Sequence, residues 1–205
     1  MENQNQNLLK YFEEKDKYRE NSLKLSREIV RECGITIRHI HKKDNNISFD
    51  NLINKLDKLA ELVKNNSDLN KYINTPQQEF VEAIVFYNIT YKNNILSYSD
   101  FKDTTKNINI NIKPENYLLG LCDVIGELRR MILENIKNDN IKNAEKYYKF
   151  MEELYDFIML FDCYNIVDGL RRKQDVSRSL LEKTNGDLVY FIENIKLREI
   201  LKNRQ

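Results

Sequence analysis

Hydrophobic residues recur every three or four positions along almost the whole chain, which is the spacing of amphipathic α-helices. In the second of these stretches, for instance, Leu52, Leu56 and Leu59 fall on one helix face. Polar segments separate one stretch from the next. The pattern predicts helices over residues 7–41, 49–65, 75–92, 114–138, 140–163, 165–184 and 187–202.

Two helix boundaries carry local sequence signals. Thr75 is a candidate N-cap, Pro76 then occupies the first helical position, and Gln78 falls where a capping box places Glu or Gln. The pair Asn185-Gly186 predicts a helix C-terminus, because glycine readily adopts the left-handed backbone that ends many helices. We therefore expect one helix to start at residue 75 and another to end before residue 187.

The composition favours long helices over a β-sheet. The 205 residues include 5 glycines and 2 prolines, which are too few for the frequent turns of a sandwich or barrel. Residues 93–113 are polar and rich in Asn, and they predict a loop with a short ordered insert where Ile108, Ile110 and Ile112 alternate. No linker separates two cores. We therefore expect an all-α fold with a single helical domain over residues 1–205.

Charge and cysteine usage narrow the functional classes. The formal net charge is +1, so a nucleic-acid site requires local segregation of charge. Cys33, Cys122 and Cys163 have no CxxC or Cys/His spacing, which is typical of buried thiols in a cytoplasmic protein. The polar N-terminus lacks a signal-peptide pattern, and no apolar run reaches the roughly 18 residues of a membrane span. We expect a cytoplasmic protein without a membrane partner.

Two acidic pairs stand among apolar residues on two of the predicted helices. Glu79 and Glu82 are spaced i,i+3, and Asp123 and Glu127 are spaced i,i+4, so each pair lies on one helix face. Ionised carboxylates on a partly buried face are costly unless a cation compensates them. Carboxylates from two helices would form an oxygen-rich site suited to Mg²⁺ or Mn²⁺, an arrangement that serves phosphoryl transfer.

Each pair also has a structural explanation that the residues alone leave open. Glu79 and Glu82 lie near a predicted helix N-terminus, where the helix dipole favours acidic residues. Asp123 and Glu127 could be solvated or could pair with Arg130. The Glu-x-x-His pairs of di-iron bundles are absent from the sequence, so a di-iron site is not expected.

Basic residues cluster in three places. Such clusters are either solvated helix faces or contacts to phosphate groups, and the sequence alone does not decide between these readings. The first helix carries Arg27, Arg31, Arg38 and Lys42 at spacings that place them in one stripe. The candidates for nucleic-acid binding elsewhere are Arg130, Arg171, Arg172, Lys173 and Arg178.

At this point the chain resembles a known family. The segments NYLLGLCDVIGELRR, QQEFVEAIVFY and VDGLRRKQDVSRSLLEKTNGDL are similar to the signatures of translin and translin-associated factor X (Trax). The opening EKDKYRENSLKLSREIVRECGITIRHIHK is similar to the first helix of that family. The resemblance covers nearly the whole chain, with the Asn-rich loop as its weakest part. In its compact length the chain resembles the archaeal Trax-like members.

The resemblance implies an all-α fold of about seven helices that assembles into a ring-like or closed octamer. The family binds single-stranded RNA and DNA, and in eukaryotes translin and Trax form an endoribonuclease of RNA silencing. The Trax subunits carry the active site, with two Glu three apart and an Asp and a Glu four apart. Those positions correspond here to the catalytic and metal-binding candidates Glu79, Glu82, Asp123 and Glu127.

Three functional hypotheses follow from the residues and the resemblance. The first is a Mg²⁺- or Mn²⁺-dependent endoribonuclease acting on single-stranded or structured RNA, with one carboxylate, such as Glu127, as general base. The second is a non-catalytic, oligomeric protein that binds single-stranded RNA or DNA. The third is a helical scaffold without nucleic-acid function. A homo-oligomer is expected, and a translin-like partner subunit is an open alternative.

The family usually has Asp where this chain has Asn116, which we expect to act as a helix cap.

Overall fold

The structure is a computed structural model that describes residues 2–64, 66–100 and 111–203. The α-helices that position the candidate residues are α1 (Glu2–His41), α2 (Asp50–Lys64), α3 (Lys71–Tyr87), α4 (Pro114–Lys137), α5 (Ile141–Met159) and α6 (Leu170–Lys202). A 3₁₀ turn, Ser67–Leu69, precedes α3, and a π-helical turn, Asn88–Lys92, follows it.

The all-α prediction is confirmed, since no β-strand occurs in the described ranges. The ordered insert expected around Ile108 and Ile110 lies outside the described residues, whereas Ile112 is buried. The Tyr98 hydroxyl donates to the Ile112 carbonyl oxygen at 2.9 Å, which holds the chain that leads into α4. The single domain over residues 1–205 stays a prediction.

The predicted start of the third helix was wrong. α3 begins at Lys71, so Thr75 is not its N-cap and Pro76 lies inside the helix. The additional first turn contains Ile73, whose exposed fraction is 5%. Burial of that side chain favours helix ahead of the proline, although proline cannot donate a helical hydrogen bond. Gln78 does not form a capping box either, because its side chain donates to Asn116 Oδ1 at 3.5 Å.

The predicted break near residue 186 was also wrong, because α6 runs without interruption through Asn185-Gly186. Arg129 of α4 holds the helix on both sides of this pair. Its Nη1 donates to Thr184 Oγ1 at 2.8 Å, and its Nη2 bonds Asp187 Oδ2 at 2.8 Å. Hydrogen bonds from Arg129 on either side thus outweigh the cost of about 1 kcal/mol of a glycine inside a helix.

The predicted start of this helix was also displaced. α6 starts at residue 170 rather than 165, after Gly169, which has a left-handed conformation (φ 77°).

The described chain divides into two compact units. The first comprises the chain up to Ile84 together with Leu96–Tyr117. In it α1 packs against α2, and Lys55 of α2 bonds Glu32 of α1 at 2.7 Å. Its core contains Ile29, Cys33, Ile37, Ile40, Leu52, Leu56, Leu59, Ile73, Phe80 and Val81.

The second unit comprises Val85–Ile95 and the chain from Leu118 onward. Within it α5 packs against α6, and the Gln174 side chain of α6 donates to the Ile158 carbonyl oxygen at 3.0 Å. Its core contains Leu121, Val124, Ile125, Leu128, Ile132, Met151, Leu154, Ile158, Leu170 and Leu188. None of the helices in the described part of the chain has a stretch apolar and long enough to cross a bilayer.

Candidate functional site

The first acidic pair lies on α3 against the buried face of α1. Glu79 is partly buried and Glu82 is 8% exposed. Burial, and after it the negative charges of Glu79 and Glu82, raise the pKa of the Cys33 thiol above its ordinary value. The helix dipole favours acidic residues within the first turn of a helix. Because α3 starts at Lys71, both carboxylates lie beyond that turn. The dipole therefore does not explain this pair.

A network of buried amides supports the same part of α3. Asn116 of α4 donates from Nδ2 to Gln77 Oε1 at 2.7 Å, and it also bonds Asn74 Oδ1 at 3.4 Å. Gln77 in turn accepts from the Lys113 backbone N–H at 3.2 Å. Asn116 is thus a buried link to α3 and not the helix cap that its sequence position suggested. The local sequence pattern does not predict these hydrogen bonds, because the bonded residues lie more than thirty positions apart in the chain.

The second acidic pair lies on α4, and its first member forms an ion pair with α6. The Lys173 ammonium group bonds Asp123 Oδ2 and also donates to the Leu119 carbonyl oxygen at 3.3 Å. The Lys173 side chain is 23% exposed and that of Asp123 is 34% exposed, so the pair is partly shielded from water. Burial raises the pKa of the neighbouring Cys122 thiol to about 12, and the Lys173 charge opposes that shift.

Glu127 lies one turn further along α4 and faces a different cation. Its Oε2 is 3.8 Å from Arg130 Nη1, and its side chain is 24% exposed. Arg130 is largely exposed, so this contact is a loose surface ion pair. The pairing with Arg130 that the sequence left open therefore holds for Glu127, whereas Asp123 is bonded to Lys173.

The basic candidates on α6 differ in their surroundings. Arg171 and Arg172 are exposed and line a hollow of about 270 Å³ at the start of the helix, together with Asp162 and Asp168. Arg178 is exposed and donates from Nε to the Tyr155 hydroxyl at 2.9 Å. These arginines keep donors available to solvent. Lys173 differs from them because its ammonium group is committed to α4.

The chemistry of the acidic residues fits a hard divalent cation. Carboxylate oxygens are the ligands that Mg²⁺ and Mn²⁺ prefer, and Asp123 already holds one cation, the Lys173 ammonium group. Within the described residues, no three His, Cys, Asp or Glu side chains are gathered as a metal site. Glu79 and Glu82 belong to the first unit, and Asp123 and Glu127 belong to the second. The contacts described for each acidic pair therefore lie within its own unit.

The described part of the chain consists of long helices without a strand, with one acidic pair on α3 and another on α4. A sequence profile of the Translin family matches residues 17–193. The chain belongs to the Translin family.

Known relatives agree with this assignment. The chain is 51% identical over 204 residues to an uncharacterized protein of Methanocaldococcus jannaschii, covering 97% of this chain and 87% of that one. It is 25% identical over 178 residues to translin-associated protein X of Pongo abelii, covering 69% of this chain and 61% of the relative. The chain thus spans less than two thirds of the length of that eukaryotic relative.

Solved structures show the same fold. The structure of AfC3PO in complex with duplex RNA is 28% identical in sequence, with a TM-score of 0.66 and coverage of 93% of this chain and 97% of that one. A crystal structure of AfC3PO has a TM-score of 0.70, also at 28% identity, over 93% of this chain and 98% of that one. Apo-NeC3PO, at 21% identity, has a TM-score of 0.78 over 91% and 96% of the two chains, and supports the fold alone.

Proposed function

We propose that this chain is an endoribonuclease that depends on Mg²⁺ or Mn²⁺ and acts on single-stranded or structured RNA. Its catalytic and metal-binding set would be the two acidic pairs, Glu79, Glu82, Asp123 and Glu127. Family membership supports RNA as the substrate, and the carboxylates support hydrolysis of a phosphodiester.

The support for RNA comes from the relatives. A structural neighbour at 28% identity was solved in complex with duplex RNA. This chain offers exposed arginines that suit phosphate groups, because a guanidinium presents several donors in a fixed fork. Arg171 and Arg172 are exposed at the start of α6, and Arg130 and Arg178 are exposed on α4 and α6. We propose that these four side chains contact the RNA backbone. The whole-molecule charge of +1 limits such contacts to local surfaces.

The support for hydrolysis is that both acidic pairs lie on at least partly buried helix faces, with Glu82 8% exposed and the Glu127 side chain 24% exposed. This is the observation that carries the nuclease proposal. A bound divalent ion would neutralise phosphate charge and lower the pKa of an attacking water. The protein's own part would be to accept the water's proton on one of the four carboxylates and to hold the scissile phosphate through the arginines. Glu127 is one candidate for the proton acceptor, and the family resemblance does not single it out.

The ion pair between Lys173 and Asp123 also favours a second function. If Asp123 serves only to hold α6 against α4, the chain is a non-catalytic oligomeric protein that binds single-stranded RNA or DNA. In that case RNA is not cleaved with any divalent ion, and RNA affinity falls as the salt concentration rises. Assembly as a homo-octamer, a requirement for a translin-like partner subunit and a cytoplasmic location are further proposals that rest on the family resemblance.

The test is cleavage of labelled RNA, single-stranded and duplex, by the purified protein. Reactions would contain Mg²⁺, Mn²⁺ or EDTA, and RNA binding would be measured in parallel by fluorescence anisotropy. We expect products only with a divalent ion. Glu127→Gln and Asp123→Asn should each lower the cleavage rate by about a hundredfold or more, the scale of losing a catalytic group, while RNA binding is retained.

Glu134→Gln provides the matched control, because Glu134 is an exposed glutamate on the same helix as Glu127. It should cleave RNA as the unsubstituted protein does. RNA binding without cleavage in every metal condition would replace the nuclease with the non-catalytic binder. An absence of RNA binding at low salt would contradict both functions and leave the helical scaffold.

A further inference from the structure

The first helix carries a linear array of cations that the proposed site does not use. We call Lys24, Arg27, Arg31, Arg38 and Lys42 the α1 basic stripe; all five side chains are exposed. At about 100° per residue the four cations within α1 fall on one side of the helix, and Lys42 directly follows its last residue, His41. At about 1.5 Å per residue the stripe is about 27 Å long. None of the five forms an ion pair in the part of the chain that the structure describes.

The acidic residues nearest to the stripe are held on its flank by α2. Glu28 follows Arg27 directly, but its carboxylate lies 3.7 Å from Lys55 Nζ. Glu32 follows Arg31, and it bonds Lys55 Nζ at 2.7 Å. Lys55 thus draws both carboxylates towards α2, and the neighbouring guanidinium groups keep their positive field. Acidic neighbours within the helix therefore do not cancel the stripe.

The helix dipole accounts for only one end of the stripe. Cations are favoured in the last turn of a helix, which includes Arg38 and the residues that follow it. Lys24, Arg27 and Arg31 lie ten or more residues before the end of α1, beyond the reach of that effect. The helix dipole therefore does not account for these three cations.

The stripe faces away from the carboxylates on α3. Cys33 is fully buried, and its pKa is raised by this burial and then by the charges of Glu79 and Glu82. It lies two residues beyond Arg31 and therefore about half a turn around α1. The stripe and this acidic pair thus occupy opposite sides of one helix. An RNA segment bound along the stripe would not be the segment that lies at Glu79 and Glu82.

We propose that the α1 basic stripe binds the phosphate backbone of RNA as a second contact surface, separate from the carboxylate site. The inference rests on the proposed RNA-binding function and extends it to residues that the site does not include. A one-dimensional row of cations fits a linear polyanion, whose phosphates follow one another at spacings of a few ångströms. Insertion into a membrane would require apolar side chains on the same face, and Ile35 is the sole apolar residue within this line.

The experiment compares the variant R27Q/R31Q/R38Q with the unsubstituted protein for binding of fluorescein-labelled single-stranded RNA. Binding is measured in EDTA, so that cleavage does not consume the RNA, over a series of salt concentrations. We expect at least about tenfold weaker binding at low salt. The slope of log affinity against log salt should fall by about 2, since each lost phosphate contact on a single strand contributes about 0.7.

Two further variants separate backbone contact from a general charge effect. K142Q/K149Q/K183Q removes three exposed lysines that lie on α5 and α6, and should bind RNA as the unsubstituted protein does. R27K/R31K/R38K keeps the charge on α1 and should restore most of the affinity. Gln, Lys and Arg have similar helix propensities, so all three proteins should remain folded, as circular dichroism would verify.

The outcomes are distinguishable. If the unsubstituted protein binds RNA and R27Q/R31Q/R38Q binds it with the same affinity and salt slope, the stripe is a solvated face and the inference is wrong. Equal losses in the stripe variant and the lysine control would also overturn it, in favour of net charge. If the variant loses binding to phosphatidylserine vesicles but not to RNA, the partner is a membrane surface and not RNA. If the unsubstituted protein binds no RNA at all, the proposed function fails together with this surface.

Discussion

Lys173 of α6 forms an ion pair with Asp123 of α4, and the same ammonium group donates to the Leu119 carbonyl oxygen. This relationship joins two residues that the sequence placed in different roles, one at the carboxylate site and one on RNA phosphates. In the second unit the lysine instead compensates the carboxylate. Lys173 therefore connects α6 to α4, and its ammonium group would compete with any other cation that binds Asp123.

Replacing Lys173 with Gln should lower the free energy of unfolding by about 1 kcal/mol, the upper end of what partly exposed ion pairs contribute. Asp123→Asn should cost a similar amount. The double variant should lose less than the sum, because both single changes remove the same interaction. Urea denaturation of the four proteins measures the coupling energy. Simple additivity would mean that the ion pair contributes nothing to stability.

The same substitution should tighten binding of a divalent cation. With Lys173→Gln the competing ammonium group is gone, and we expect about fivefold higher affinity for Mn²⁺, the factor that corresponds to about 1 kcal/mol. Isothermal titration calorimetry measures this without any activity. Lys196→Gln, which breaks the exposed pair with Glu193 at 2.7 Å, is the control and should leave Mn²⁺ affinity unchanged. Weaker Mn²⁺ binding in Lys173→Gln would show that the lysine helps to hold the site.

Thiol reactivity should separate the three cysteines. Cys33 and Cys122 are buried and Cys163 is exposed. The thiolate is the reactive form, and burial raises the pKa of Cys33 and brings that of Cys122 to about 12, so neither reacts readily near pH 8. A disulfide reagent should therefore modify one thiol per native chain. Cys163→Ser should abolish that reaction, and modification of two or three thiols would contradict the burial of the others.

The raised pKa of Cys122 also predicts how stability depends on pH. The pKa of the Cys122 thiol is about 12 in the folded protein, compared with the ordinary value of 9.0 that applies to the unfolded chain. Above pH 9 the unfolded chain therefore releases a proton that the folded chain retains. The stabilisation from the neutral thiol is therefore complete below pH 9 and is lost as the pH rises towards 12. Cys122→Ala should show a shallower decline in this window, as urea denaturation at several pH values would reveal.

Substitution of Gly186 with Ala tests whether α6 is continuous through this residue. A Cβ atom added at this exposed position meets nothing within 4 Å, so Gly186→Ala should raise the free energy of unfolding by about 0.5 to 1 kcal/mol. Gly169→Ala is the contrasting change. Gly169 has a φ of 77°, and a side chain there should cost about 1 to 2 kcal/mol. Destabilisation by Gly186→Ala would instead favour a helix end at Asn185-Gly186, as the local sequence suggests.

The helices could largely be predicted because their signal is local. Burial of every third or fourth residue defines an amphipathic helix, and α2 and α4 begin and end within one residue of the predicted bounds. The errors arose where a local signal competed with distant packing. Pro76 and Gly186 are typical of helix ends, yet buried Ile73 and the bonds of Arg129 keep both positions inside helices.

The acidic pairs could likewise be predicted, but not their surroundings. The spacing of Glu79 and Glu82, or of Asp123 and Glu127, determines that each pair shares a helix face. Which cation lies beside a carboxylate depends on how helices far apart in the chain pack together. Fifty residues separate Asp123 from Lys173, and no pattern within either helix encodes their contact.

By itself the sequence thus determined the helical fold, the positions of the acidic pairs and the row of cations along α1, because each of these depends on the period of one helix. The tertiary structure alone decided that Lys173 serves Asp123, that Asn116 is bonded to α3, and that Lys55 draws Glu28 and Glu32 away from the stripe. Such contacts are selected by the packing of whole helices, since burial of apolar faces fixes which polar side chains meet.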